Sequence, residues 1–172
     1  VARVLEKLDS AAFPLLSVLG ADIPLRPQIV RRIEATVSED GEVLDTASST
    51  LRKLRSDIRS ANQRLQERLR TLVGDFAHVL QEEIITIRND RYVVPVKSEL
   101  RGQVRGIVHD QSSSGATVFI EPMVVVELNN KLRGLQAEER EEIERILREV
   151  SAEVGHEAEA LKAAVELLAE FD

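Results

Sequence analysis

Cysteine and tryptophan are missing from the 172 residues, Met123 is the single methionine, and aromatics make up 3%. Without cysteine there are no disulfides and no thiolate metal sites, and a reducing compartment, the cytoplasm, is the expected home. Four Phe and one Tyr leave no stacking platform of the kind that holds single-stranded nucleic acid. No run of about 18 apolar residues occurs, so no membrane-spanning helix and no membrane partner are expected. The opening Val1-Ala2-Arg3-Val4-Leu5-Glu6-Lys7 is amphipathic and mixed in charge, unlike a signal peptide. A chain that starts at Val1 reads as a fragment of a larger protein. Several chemistry-bearing patterns are also lacking. There is no Gly-x-x-x-x-Gly-Lys-Ser/Thr loop for nucleotide phosphates, so no cofactor is expected in the fragment. There is no Gly-x-Ser-x-Gly elbow for a serine nucleophile. His78, His109 and His156 are far apart and form no His-x-x-x-His pair, so no metal site is expected.

Charge, in contrast, is plentiful and uneven. Charged residues reach 31% against 43% hydrophobic ones, a mixture that favours long, solvent-washed helices over a thick globule. The net charge is −7. From Leu51 to Arg70 seven bases (Arg52, Lys53, Arg55, Arg59, Arg64, Arg68, Arg70) meet two acids (Asp57, Glu67), a local net of +5. From Lys131 to Asp172 six bases meet twelve acids, a net of −6. The basic stretch either favours a polyanion or lies alongside the acidic one, and both readings stand.

Val1, Val4, Leu5 and Leu8 mark a short helical face. Asp9 or Ser10 caps a second short helix holding Phe13, Leu15, Leu16, Val18 and Leu19, with Pro14 in its first turn and Gly20 at its end. Pro24 and Pro27 frame a turn, and 28–35 predicts another short helix with Ile29, Val30 and Ile33 buried. Residues 36–44 carry Asp40-Gly41 and read as a loop or a tiny hairpin. A long helix is predicted to open near Asp45 or Thr46 and close at Gly74, its stripe being Leu51, Leu54, Ile58, Ala61, Leu65, Leu69 and Leu72. The apolar period then changes to two. Residues 84–87 and 92–96 flank Arg88-Asn89-Asp90-Arg91, a hairpin with Asn-Asp at its tip. Pro95 cannot donate to a ladder, which places that strand at a sheet edge or a bulge. A second hairpin joins 103–109 to 116–121 around the turn formers of 110–115. After Pro122 helical spacing runs through Leu128, Leu132, Leu135, Ile143, Ile146, Leu147, Val150, Val154, Leu161, Val165 and Leu168. One helix of ~50 residues must protrude or bend, with Gly134 and Gly155 as soft points. The resulting fold class is α+β, mainly α: long antiparallel helices carrying a small antiparallel β-hairpin module. Its segments are 1–80, the first helices; 81–122, the hairpin module; and 123–172, the returning helix.

His109, Asp110 and Ser112 to Ser114 invite a hydrolase reading, but strand neighbours point to opposite faces, so Asp110 is badly placed to orient His109. A polar loop whose hydroxyls satisfy backbone groups accounts for the same residues. Glu138, Glu139, Glu141, Glu142 and Glu144 alternate with Arg140, Arg145 and Arg148, as i,i+4 ion pairs on a wet helix face would. Arg88, Arg91, Lys97, Arg101 and Arg105 gather around the hairpin tips and the link between them. A basic patch with little aromatic content suits contact with the phosphate backbone of duplex or structured nucleic acid. With Arg52, Lys53, Arg55 and Arg59 of the basic helix they form the candidate nucleic-acid-binding set. Ordinary surface arginine usage is the plain alternative.

The stretch Ile87-Arg88-Asn89-Asp90-Arg91-Tyr92-Val93-Val94-Pro95-Val96-Lys97, the loop Ser112-Ser113-Ser114-Gly115-Ala116-Thr117 with Phe119-Ile120-Glu121-Pro122 after it, and Val126-Glu127-Leu128-Asn129-Asn130 resemble the middle region of the MutS family. The resemblance is to the bacterial branch that lacks mismatch-recognition domains and carries a C-terminal Smr nuclease domain. Residues 40–45 with Ala47-Ser48 are similar to that family's entry into its lever helix, so the likeness covers nearly the whole chain, as a core/lever plus clamp region. It implies a parent that is a homodimeric, ATP- and Mg²⁺-using DNA-binding protein with endonuclease activity. That branch is linked to suppression of homologous recombination through branched DNA, and to binding and splitting collided ribosomes. The resemblance implies no catalysis by the fragment itself. Branched or duplex DNA is the expected partner and the ribosome with its rRNA a further one. A protein-interaction or dimerisation module without nucleic-acid contact is the rival reading.

Overall fold

In the computed structural model residues 11–169 are described; the expected helical face at Val1 to Leu8 and the cap at Asp9 or Ser10 lie outside them. The described residues form two compact units, one within Ser49–Glu142, the other within Val1–Ser48 and Ile143–Asp172. These units run across the segments 1–80, 81–122 and 123–172.

In the unit of residues 49–142, the apolar stripe with steps of three and four folds as helix α3, Ser49–Asp75, burying Leu51, Leu54, Ala61, Leu65 and Leu69. It starts a few residues later than expected, because Ala47 N–H turns back to the Leu44 carbonyl. A second long helix, α4 (Val126–His156), contributes its residues up to Glu142 here. Arg55 pairs with Glu139, while Val124 and Leu128 lie beside Arg64, Arg68 and Thr71. Ascending numbers on α3 therefore meet descending numbers at α4, and the two helices are antiparallel.

Between them in the chain come the strands of a four-stranded antiparallel sheet: β1 (Thr86–Arg88), β2 (Arg91–Lys97), β3 (Gly106–Gln111) and β4 (Thr117–Pro122), in the order β1-β2-β4-β3. A 3₁₀ turn, Ser98–Gln103, links β2 to β3, and another, Met123–Val125, leads from β4 into α4. The fold is α+β and mainly helical. Alternate β2 and β4 side chains, Val94, Val96, Val118 and Ile120, join Leu65, Leu69, Val79, Leu80, Val125 and Leu132 in one core. Each fully buried Val, Leu or Ile there contributes roughly 1.5–3 kcal/mol.

Pro95 is not on an edge strand, since β2 lies between β1 and β4. β1 reaches only as far as Val93, and beyond it Pro95 accepts from Gln81 N–H. A strand residue's N and C=O face one side, so the missing N–H points away from β4 and removes no bond to it.

In the other unit, α1 (Pro14–Asp22) and α2 (Pro27–Thr36) each start on a proline, whose fixed φ suits a first helical position. Gly20 lies inside α1 and does not end it. Val37 bridges Val43 around Gly41, at φ +83°, so the Asp40-Gly41 stretch is the tiny hairpin. The last helical stretch breaks at Glu157, next to Gly155 and away from Gly134, and α5 (Ala158–Ala169) follows. Arg26 and Arg32 pair with Glu157 and Glu153. Val30 and Ile33, expected in a core, are 52% and 38% exposed: helical spacing marks an apolar face but does not supply a cover for it.

Two glycines of the 49–142 unit should respond oppositely to alanine. A Cβ on Gly106 would lie 2.2 Å from the Glu121 carbonyl oxygen, so Gly106→Ala should destabilise the chain by about 1–3 kcal/mol. Gly134 is inside α4 with nothing within 4 Å, so Gly134→Ala should stabilise it by about 1 kcal/mol. Urea unfolding followed by circular dichroism measures both.

Candidate nucleic-acid interface

The β1–β2 hairpin closes through Asn89 and Asp90, both left-handed at φ 53° and 59°. That is the type I′ geometry that matches strand twist, and Asn and Asp tolerate it best among non-glycine residues. The Asn89 amide donates to the His109 carbonyl at 3.1 Å. His109 is the extra residue of a β-bulge, because the β3–β4 register shifts between Val108 and Asp110. The hairpin tip thus touches the far strand of the sheet, and Arg88 reinforces this. Its Nε lies 3.1 Å from Asp110 Oδ2 and its guanidinium sits 4.0 Å from the centroid of the Phe119 ring.

Beneath the tip is a buried carboxylate. Glu121 is 0% exposed. Its Oε1 accepts from Arg91 Nη1 at 2.7 Å and from Asn129 Nδ2 at 2.8 Å, and its Oε2 lies 2.6 Å from His109 Nε2. An ionised carboxylate only accepts, so Nε2 is the donor in that pair. Arg91 Nη2 also reaches Asn130 Oδ1 at 2.6 Å. The Asn129 side chain accepts from Tyr92 N–H at 3.2 Å and donates to the Tyr92 carbonyl at 3.1 Å. It thereby stands in for a ladder partner where β4 ends at Pro122, which has no N–H to give. The stretches that carry the family resemblance, Asn-Asp-Arg-Tyr, Phe-Ile-Glu-Pro and Leu-Asn-Asn, converge on this junction. Burying a carboxylate is tolerable only with such compensation.

The candidate cations divide into two groups. Four are engaged: Arg88 and Arg91 as above, Arg55 with Glu139 at 2.8 Å, and Lys97 with the His78 carbonyl at 3.2 Å. Arg91, with a side chain only 18% exposed, is a brace of the fold. The others, Arg52, Lys53, Arg59, Arg101 and Arg105, are exposed and have no carboxylate partner among the described residues. The same holds for Arg64, Arg68 and Arg70, which belong to the basic helix but were outside the expected set. Of the acidic stretch, Glu139 is taken by Arg55, while Glu144 and Glu149 pair along α4 with Arg148 and Arg145. In the serine loop, Ser112 Oγ accepts from Thr117 N–H and lies 3.3 Å from Ser114 Oγ, the backbone-satisfying role. His109 points to Glu121 and not to these hydroxyls. No group of His, Asp and Glu that could hold a metal occurs among the described residues. No helix there is long and apolar enough to cross a membrane.

No protein-family model matches the chain. Curated relatives do. Endonuclease MutS2 of Geobacillus thermodenitrificans is 55% identical over 154 residues, 88% of this chain and 19% of that protein. Endonuclease MutS2 of Latilactobacillus sakei is 47% identical over 169 residues, 98% of the chain and 21% of the relative. The Clostridioides difficile protein of the same name is 46% identical over 162 residues, 93% and 20%. The chain spans about a fifth of the length of the relatives it matches.

The junction yields a double-mutant test. Arg91→Met removes one partner of a buried pair and should cost about 3–5 kcal/mol in urea unfolding. Glu121→Leu combined with Arg91→Met should cost clearly less than the two single changes added together. Simple additivity would show that the pair is not coupled.

Proposed function

We propose, from the premise that this chain belongs to the MutS2-type family as a segment of it, that the segment is a non-catalytic lever-and-clamp element that binds the nucleic-acid backbone. The observation that carries the reading is the set of exposed cations on the 49–142 unit with no carboxylate partner among the described residues: Arg52, Lys53, Arg59, Arg101 and Arg105, with Arg64, Arg68 and Arg70 beside them. Guanidinium and ammonium groups left in water, near strands whose geometry a buried junction fixes, suit phosphate contact. Branched or duplex DNA is the proposed ligand, and rRNA in a collided ribosome presents the same phosphate chemistry. Suppression of homologous recombination, homodimerisation, endonuclease action and a cytoplasmic location belong to the proposal for the longer protein. The residues present do not fit ATP and Mg²⁺, since the chain carries no P-loop; we assign that cofactor to parts of the longer protein outside these residues.

A second reading has its own support. Phe13, Leu15, Val18, Val30, Leu161 and Val165 are exposed, as they would be on a face that meets another protein surface.

The test is a titration of the 172-residue chain with forked and linear duplex DNA across a salt series. Binding should weaken steeply with salt, and Arg101→Ala with Arg105→Ala should lower the slope of log K against log salt by about 2. An unchanged slope removes these two residues from the interface. A stable dimer that ignores DNA in sedimentation favours the protein-interaction reading.

A further inference from the structure

The 3₁₀ turn between β4 and α4 is pinned at both ends. Pro122 and Val125 are buried, and Met123 N–H donates to the Arg105 carbonyl at 2.9 Å. Between the pins, Met123 is 61% exposed and Val124 52%. Holding two apolar side chains in water on a fixed turn stabilises nothing in the fold. Ile107 and Val108 on neighbouring β3 are exposed as well, on opposite faces of that strand.

What surrounds the Met123–Val124 strip is cationic. Val124 shares a shallow groove with Arg64, Glu67, Arg68, Thr71 and Leu128. Met123 lies against the backbone of Arg105, and Arg101 caps the same connection, its carbonyl accepting from Val104 N–H. The two apolar side chains are thus bracketed by α3 arginines on the Val124 side and by Arg105 on the Met123 side. None of Arg64, Arg68, Arg101 and Arg105 has a carboxylate partner among the described residues. Glu67, the acid in the groove, accepts from the Gln63 side chain at 2.9 Å.

We propose that Met123 and Val124 form an apolar contact with the groove of a nucleic-acid duplex, pressing on sugars and base edges while Arg64, Arg68, Arg101 and Arg105 take the flanking phosphates. The proposal rests on the nucleic-acid reading above and deepens it: it narrows the ligand to the groove of a duplex and adds two residues, Met123 and Val124. Cations without a carboxylate partner among the described residues match a polyanion. Apolar side chains set between phosphate-binding arginines are the device by which proteins engage and partly unstack a duplex groove. Single strands are held instead by aromatic stacking, and none of these residues is aromatic. An interface with a folded protein needs about 800 Å² per partner, more than two side chains provide.

The experiment uses the 172-residue chain and a short duplex with a flexible pyrimidine–purine step, in which 2-aminopurine reports unstacking, together with the matching single strand. The wild-type chain should prefer the duplex and brighten the probe. Met123→Ser with Val124→Ser should keep the salt slope, weaken duplex binding about tenfold and abolish the brightening, while Met123→Leu should retain both. Arg64→Ala with Arg68→Ala should lower the salt slope by about 2. All these side chains are exposed, so unfolding curves should match the wild type. If the wild-type chain binds duplex with a salt slope but the Met123→Ser, Val124→Ser variant matches it in affinity and probe signal, the apolar contact is wrong while nucleic-acid binding stands. If the wild-type chain binds no nucleic acid even at low salt, the underlying reading fails first. If the same variant alters self-association in sedimentation and leaves DNA binding untouched, the strip belongs to a protein contact and the proposal is overturned.

Discussion

The carboxylate of Glu121, wholly removed from water, has to be compensated where it stands. Three separate pieces of chain do this: the start of β2 through Arg91, the bulge of β3 through His109, and the beginning of α4 through Asn129. The surrounding irregularities serve that requirement. The bulge adds a residue exactly where an imidazole is needed. The left-handed pair at the hairpin tip brings Asn89 onto the bulge carbonyl. Asn129 closes the ladder that Pro122 cannot. A buried ion pair gives little net stability compared with an apolar core of the same shape, but it allows few alternative arrangements. Its contribution is to fix the two hairpins against α4.

That constraint determines which charges remain for a ligand. Arg91 is spent on Glu121, Arg88 on Asp110 and Phe119, and Arg55 on Glu139. The remaining cations sit on an otherwise nearly neutral unit: residues 49–142 contain fifteen Lys and Arg against fourteen Asp and Glu, a net of +1. The rest of the chain holds eight against sixteen, a net of −8. Surface charges are screened over about 8 Å at physiological salt, so a phosphate at α3 or the β2–β3 connection responds to the charges nearest it and not to the overall −7 as such. Three acids, Glu121, Asp110 and Glu139, make this sharper, since each neutralises a base already committed to the fold.

Much of the architecture could be read from spacing. The α3 stripe, the period change into strands and the Asn-Asp tip appear where apolar repeats and turn chemistry place them. The junction was visible only as an anomaly. Asn129 lies four residues after buried Val125 and three before buried Leu132, so a polar amide occupies a core position of α4. Glu121 alternates with Val118 and Ile120 toward the face that period two calls solvent, yet it is buried. Periodicity assigns a side chain to a face and is silent on what covers that face. The same reason explains Val30 and Ile33, apolar and helically spaced but exposed. It also explains Pro95, which is tolerated in an inner strand because β1 stops short of it. The break at Glu157 had a weak signal in Gly155, but Gly134 carried an identical one and the helix passes through it, since glycine lowers the cost of a bend without requiring one.

Exposed apolar side chains occur in both units, and charge separates their meanings. In the acidic part, Leu161 and Val165 lie among Glu159, Lys162 and Glu166, a setting that disfavours a phosphate backbone. In the 49–142 unit Val124 lies beside Arg64 and Arg68, and Met123 lies against Arg105, arginines with no carboxylate partner among the described residues. The turn that carries Met123 and Val124 is held by a buried valine, a buried proline and a backbone bond to Arg105. A contact surface that is already rigid loses little conformational entropy on binding, because ordering costs fall mainly on mobile side chains and loops. The junction at Glu121 extends that economy from the turn to the strands: Ile107 and Arg105 flank the residue paired with Pro122, and Glu121 itself sits opposite Ile107 in the β3–β4 register. The buried carboxylate therefore anchors the end of β4, with only Pro122 between it and the turn, and a change that loosens this junction should blur the geometry of the strip without touching a single exposed cation.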